Sequence, residues 1–301
     1  MKKLNKKSVE IQSEHWKIGF DPEYFLQDLK TGKIESAIPI LKNDKNSPIK
    51  LGKGLLAYAD NCLLEHTVPV SSSKEEMLDN IKNAFVKIQS KVLGTKYKLV
   101  SKAAHKFDIE QLKDKKSFEI GCSSSFNVWD EGVTPRQEFA DTTRTSAGHI
   151  HISHPKLADF KVKELAIKLL DVIVGNSLVV LNQDETAPIR RNLYGKSGEF
   201  RMEGTRIEFR VPDSFYLRSP QTTELAYDLI EYTMDKVFNG GAEEILNLID
   251  VKEQRESINL CKKDLAMNTL VNKVKLTDEL LKRVTANYGE MDLYKNWGIK
   301  I

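Results

Sequence analysis

Cysteine is scarce in this chain: Cys62, Cys122 and Cys261 are the three present, far apart in sequence. An odd, scattered set builds neither a disulfide framework nor a zinc ribbon, and it suits a reducing compartment. Long apolar runs are missing too. The longest, residues 165–181, is broken by Lys168, Asp171 and Asn176, which makes it too short and too polar to span a bilayer. The basic opening, Met1 to Ser8, is followed by no apolar stretch, so a signal peptide is not expected. Charge of one sign is not in excess: 46 basic and 43 acidic residues leave +3. That balance argues against a general nucleic-acid or membrane-surface binder, which needs a concentrated basic face. No Gly-x-x-x-x-Gly-Lys-Ser/Thr occurs, so a P-loop is not the nucleotide site. Internal repeats and low-complexity segments are also absent. What remains reads as a cytoplasmic globular protein.

The patterning predicts elements. Residues 18–29 read as a strand, turned by Lys30-Thr31-Gly32-Lys33 into a second strand over 34–40. A polar loop covers 42–53, and 55–70 is extended with a hairpin around Asp60-Asn61. Ser73 and Glu76 form a capping box ahead of Met77, Ile81, Phe85, Ile88 and Val92 at helical spacing. A charged loop is expected over 102–116, a short strand over 118–122, a strand over 148–153 and a buried helix over 159–180. Strand arms flank the turn Glu203-Gly204, and a helix runs from Ser219-Pro220 to Gly240-Gly241. Two or three amphipathic helices fill 242–301. Strands in hairpins, without regular strand–helix alternation, predict an α+β fold on a curved antiparallel sheet with helices on its outer face. The expected division is a basic tail, 1–14, a catalytic domain, 15–241, and a helical extension, 242–301, packed on that domain.

Four segments carry the chemistry. Asp21 and Glu23 share one strand face; Asp60 and Glu65 lie in the second extended region. His149, His151 and Ser153 share a face, as do Arg206, Glu208 and Arg210. Carboxylates with an imidazole or two suit Mg²⁺ or Mn²⁺. Arginines beside them suit phosphate, which they grip bidentately. Each piece has a bland reading: a solvated Asp-x-Glu face, an exposed His-x-His, a cross-strand ion-pair ladder. All four together describe a cradle for a metal-bound nucleoside triphosphate.

Gly19-Phe20-Asp21-Pro22-Glu23-Tyr24-Phe25-Leu26 resembles the metal-binding strand of glutamine synthetases. Ser146-Ala147-Gly148-His149-Ile150-His151-Ile152-Ser153 resembles that family's Gly-x-His-x-His-x-Ser strand. Arg206-Ile207-Glu208-Phe209-Arg210-Val211-Pro212-Asp213, continued by Tyr216-Leu217, resembles its Arg-Ile-Glu-x-Arg-x-Pro-Asp strand. The run from Arg190 to Arg201 looks more like the compact phage-encoded carboxylate–amine ligases of the glutamine synthetase/glutamate–cysteine ligase superfamily. The resemblance implies a glutamine synthetase-like fold and an ATP- and Mg²⁺-dependent ligase, with Mn²⁺ as an alternative. It implies that a small-molecule or peptide carboxylate is joined to an amine through an acyl phosphate, in the cytoplasm of a phage's host. No membrane partner is expected, and nucleic acid only as a modified substrate. By position it assigns Asp21, Glu23, Glu65, His149 and Glu208 to metal. It assigns Arg190, Arg191, Arg201, Arg206 and Lys196 to the nucleotide, and Glu65, Arg191, Arg206 and Arg210 to catalysis, with Arg210 on the substrate carboxylate. The parts of Asp60 and His151 stay open. So do three competing readings: a hydrolase with His149, His151 and His154 on zinc, a phosphotransferase, and a non-catalytic binding protein on the same fold.

Overall fold

Alternation along the longest strand, Lys17–Asp28, sets the architecture. Ile18, Phe20 and Tyr24 turn to one side and are buried, which sends Asp21 and Glu23 to the other. The computed structural model describes residues 16–118, 125–130, 132–134 and 141–301. Residues 1–14, Cys122 and all but Phe118 of the strand expected over 118–122 lie outside the described residues; Phe118 closes the 3-10 turn Lys115–Phe118.

The long strand pairs with Gly148–Ser153 along its first half, and with Leu63–His66 and Tyr97–Val100 further on, antiparallel throughout. From there the sheet runs outward through Arg206–Phe209, Glu199–Glu203 and Ser125–Asn127 on one side. On the other it runs through Leu55–Asp60 to Ile49–Gly52. One face is apolar: Ile150, Ile152, Ile207 and Phe209 join Ile18, Phe20 and Tyr24 in a core cluster. Helices cover it, contributing Met77, Ile81, Phe85 and Ile88 from Lys74–Ile88 and Leu225, Leu229 and Ile230 from Pro220–Asn239. Each such side chain contributes roughly 1.5–3 kcal/mol when fully buried. The fold is therefore α+β, with a large antiparallel sheet and helices on one face of it.

Helix starts follow the expected caps. Ser73 Oγ accepts from Glu76 N, and Glu76 Oε2 accepts in return from Ser72 N, one residue earlier than the ideal capping box. Ser219 Oγ accepts from Thr222 N, with Pro220 in the first turn. Residues 160–181 form a helix whose middle turn, Asp171–Gly175, is widened. Asp171, which interrupts the apolar run, is fully buried there and accepts from Ser197 Oγ, Gly198 N, Trp129 Nε1 and Gln254 Nε2. Burial raises its carboxyl above the usual range despite these bonds. Among the described residues no helix is long and apolar enough to cross a membrane.

Four expectations are corrected. The strand over 34–40 stops after Ile34–Glu35, and Ala37–Leu41 is a short helix. Pro39 cannot serve a central strand, whereas in a first helical turn its missing N–H has no partner to lose. The loop over 42–53 contains the edge strand Ile49–Gly52. The loop over 102–116 contains Ala104–Lys106, paired with Thr143–Thr145. The C-terminal region holds five short helical stretches, from Ala242–Leu246 to Leu293–Trp297, where two or three were expected. Cys261 and Lys275 end two of them in left-handed conformations, with φ of 50° and 53°. These stretches pack on the rest: Trp297 Nε1 donates to Leu217 O, and Gln254 reaches Asp171.

Candidate active site

The face turned away from the helices collects the polar residues by register. Glu65 stands opposite Glu23 on one side and Tyr58 on the other. Asp21 stands opposite His149, His151 opposite Glu208, and Glu208 opposite Arg201. Directly opposed residues of antiparallel strands project on the same side, so all of these share one surface.

One half of this surface is acidic. Ligand oxygens of Glu23, Asp60 and Glu65 lie within 4.8 Å of one another. Glu23 Oε2 accepts from Ala147 N at 2.8 Å, and Glu65 Oε1 accepts from the Tyr58 hydroxyl at 2.7 Å. Burial, then the charge of Asp60, pushes the Glu23 carboxyl up to about 8. Burial, then Glu23 and Asp60, holds Glu65 well above the usual range. Three carboxylates this close cannot all ionise without a compensating cation. The donor set is all hard oxygen, which fits Mg²⁺, Mn²⁺ or Ca²⁺ and lacks the nitrogen or sulfur that zinc favours. Asp60, left open from the sequence, is a full member. The hairpin could have revealed it: a turn at Asp60-Asn61 puts Tyr58, Asp60 and Glu65 on one face.

The other half is cationic. Glu208 Oε1 accepts from Arg201 Nε and Nη2, lies 3.5 Å from Arg210 Nε, and lies 3.4 Å from His149 Nδ1. His149 Nε2 meets the Tyr194 hydroxyl at 2.9 Å. The Tyr194 ring lies beneath the guanidinium groups of Arg210 and Arg190, at 5.1 and 5.4 Å. Tyr194 stood in the motif run but carried no signal of its own. Burial, then Arg210, His151, Arg201 and Arg190, holds His149 well below its ordinary value, so its imidazole is neutral. Asp21 pairs with His151 Nε2 at 2.9 Å. Burial raises the Asp21 carboxyl, but the hydrogen bond and charge of His151 outweigh it, and the net shift is downward. Asp21, His149 and Glu208 thus share the face, but their ligand atoms are not gathered as those of the acid half are. Asp21 is turned to His151, and Glu208 to its arginines.

The remaining arginines divide by task. Arg190 is fully buried and donates to the carbonyls of Ser146, Val211 and Pro212. Gly195 permits this: with φ +68°, a Cβ there would stand 2.1 Å from Arg190 Nη1. Arg191 Nη1 donates to Gly195 O and Val211 O. Both side chains tie the helix Ala187–Leu193 to the end of the Glu208 strand. Arg206 is exposed, paired with Glu203 at 2.7 Å, at the far end of its strand from Arg210. Lys196 is half-buried in the turn after Tyr194, near Glu199. His154 leaves this face and packs on Phe238 at 4.4 Å, which removes the third histidine from the zinc reading.

Residues 122–248 match the model of the phage phiEco32-like COOH-NH2 ligase type 2 family. The match takes in His149, Tyr194, Arg201, Glu208 and Arg210. No curated protein matches the chain. Among solved structures, a bifunctional glutathione synthetase from Pasteurella multocida is 12% identical at a TM-score of 0.45, over 94% of this chain and 48% of that one. The chain therefore spans about half that protein's length. GmaS, solved apo without ligand, is 13% identical at a TM-score of 0.44, over 95% of this chain and 68% of that one. The family match supports a carboxylate–amine ligase.

Proposed function

We propose that the protein is an ATP-dependent carboxylate–amine ligase working through an acyl phosphate, and that Glu23, Asp60 and Glu65 hold a Mg²⁺ or Mn²⁺ ion. The observation that carries this reading is the division of one face into a three-carboxylate cluster and an arginine-rich half. Such an ion supplies charge neutralisation where anionic oxygens of substrate and phosphate must approach. Arg201 and Lys196, both half-buried, are the cations of the cationic half placed to meet a phosphate group. Arg210 has no exposed surface and holds Glu208, so gripping a substrate carboxylate would require Tyr194 to move aside.

In this reading a substrate carboxylate oxygen attacks the γ-phosphorus of ATP, and ADP leaves. An amine nitrogen then attacks the acyl carbon, the C–O bond breaks, and inorganic phosphate leaves. The proton shed by the amine goes to a carboxylate of the site, a role we give to Glu65. Neutral His149, held by Tyr194, adds no charge that would repel the incoming ammonium. The test is incubation with ATP, Mg²⁺ and pooled acids and amines, followed by mass spectrometry of condensation products and an assay of ADP. Product formation with stoichiometric ADP and phosphate supports the reading. ADP release without any amine requirement would point to a phosphotransferase and overturn it.

A further inference from the structure

Behind the polar face, on the helix-covered side, lies a separate cavity of about 250 Å³. Leu178, Val179, Ala187, Phe215 and Tyr216 give it apolar walls. Leu178, Val179, Phe215 and Tyr216 belong to the same core cluster as the apolar face of the sheet, which puts the cavity on the opposite side from Glu23 and Glu65. Its lining also carries both signs of charge: Arg191 and Lys263, and Asp184, Glu185 and Asp213.

Arg191 is the informative member. It is buried, and Nη1 is engaged by two carbonyls, yet among the described residues its Nε has no hydrogen-bond partner. A buried donor left unsatisfied costs free energy that a carboxylate would recover. Asp213 and Asp184 are fixed by main-chain donors, Phe215 N for the first and Ala103 N and Thr186 N for the second. Exposed Glu185 adds a further negative group at the mouth. An occupant that suits all of this has one carboxylate, one ammonium and an apolar body. The volume falls just below the roughly 300–1,000 Å³ typical of drug-sized pockets, which favours an amino-acid-sized guest over a nucleotide.

We infer that this cavity binds a free α-amino acid with a bulky apolar side chain, its carboxylate toward Arg191 and its ammonium toward Glu185 and its acidic neighbours. Arg191 also holds Gly195 O, next to Tyr194, whose hydroxyl meets His149. The pocket is therefore one residue away from the cationic half of the polar face, and a guest that engages Arg191 bears on that turn.

The test is calorimetric titration of the full chain with L-leucine and L-phenylalanine, and with L-leucinamide and 4-methylpentanoate, which each lack one charged end. We expect saturable binding of the amino acids and at least tenfold weaker binding of the two truncated probes. Glu23→Gln alters the acid face and leaves the cavity untouched, so binding is expected to survive it. Ala187→Leu narrows the cavity and is expected to weaken binding at least tenfold. If that variant does not fold, Lys263→Glu, at an exposed position, is expected to weaken binding at least threefold. No saturable binding up to about 10 mM, tenfold weaker than a Kd of about 1 mM, overturns the proposal. So does binding that Glu23→Gln abolishes or that the cavity variant leaves unchanged. Neither failure touches the ligase reading, which is read by product formation.

Discussion

Three carboxylates, Glu23, Asp60 and Glu65, crowd within 4.8 Å at one end of the polar face. At the other end a single carboxylate, Glu208, is met by Arg201, Arg210 and His149. Both groups lie on neighbouring strands of one sheet and are buried except for half-buried Asp60 and Arg201, yet their electrostatics run in opposite directions. In the acid half, burial and mutual repulsion drive protons onto the carboxylates. In the cationic half, burial and the arginines drive the proton off His149. On the proposed reading the first half gains a cation, whereas the second is already balanced by its own arginines. The same operation, removal of one carboxylate, is therefore expected to have opposite effects on stability at the two ends.

The largest expected effect is on activity. Glu65→Gln removes a cluster oxygen and the proposed proton acceptor, and ligation is expected to fall on the order of 100- to 1,000-fold, as when one electrostatic contact is lost from a preorganised site. The metal-free protein should at the same time melt higher than wild type at pH 8.5, because glutamine cannot ionise and so adds nothing to the repulsion on Glu23 and Asp60. A lower melting temperature in that variant would break the comparison. Glu208→Ala is the counterpart. It leaves fully buried Arg210 without its ion-pair partner Glu208, and unfolding free energy is expected to drop by about 3 kcal/mol, read by urea denaturation. A neutral or stabilising result would show that Glu208 resembles the acid half after all.

Next comes pH. The folded Glu23 carboxyl binds its proton up to about 8, far above an unfolded glutamate. Its contribution to metal-free stability is present below the ordinary carboxylate range and is lost as pH rises through about 8. Glu65 is shifted the same way. A divalent cation replaces those protons, so the rise in melting temperature on adding Mg²⁺ or Mn²⁺ should be small at pH 6 and several degrees at pH 8.5. His149 is shifted the other way: its unfolded form still binds a proton near pH 6, so its contribution to stability grows as pH rises through the ordinary histidine range, with or without metal, and cancels from the metal-induced shift. An equal metal-induced shift at both pH values would place the cation somewhere other than this cluster.

How far the two halves could be read from sequence differs for a physical reason. His149-x-His151 and Arg206-x-Glu208-x-Arg210 lie within single strands, where alternation alone decides the face. The caps at Ser73 and Ser219-Pro220 are equally local. The acid cluster joins Glu23 to Asp60 and Glu65 across two strand pairings: the hairpin at Asp60-Asn61 gives the second, but the pairing of Glu23 with Glu65 depends on a register between separate segments that residue spacing does not specify. The carbonyl contacts of Arg190 and Arg191 were not legible, because a guanidinium on main-chain carbonyls leaves no trace in sequence beyond the glycine it needs at position 195. The C-terminal breaks at Cys261 and Lys275 were invisible because each is a left-handed residue without the glycine that usually marks one.

The smallest expected effect tests whether the cationic half is held by shape or by hydrogen bonding. Tyr194 does two things there: its ring lies under Arg210 and Arg190, and its hydroxyl meets His149 Nε2. Tyr194→Phe keeps the ring and removes the hydroxyl. A hydrogen bond of this kind contributes roughly 0.5–1.5 kcal/mol, so ligation should fall about two- to tenfold, with the fold and the metal-induced stabilisation unchanged. Tyr194→Ala removes the ring as well, uncovering two arginines, and should fall further. The split between the constants is informative: a hydroxyl that only fixes the imidazole should lower kcat and leave the apparent KM for ATP alone. If Tyr194→Phe is indistinguishable from wild type while Tyr194→Ala is impaired, stacking alone positions this half. If the two variants are equally impaired, the hydroxyl's hold on His149 is what matters, and the cover over Arg210 is incidental.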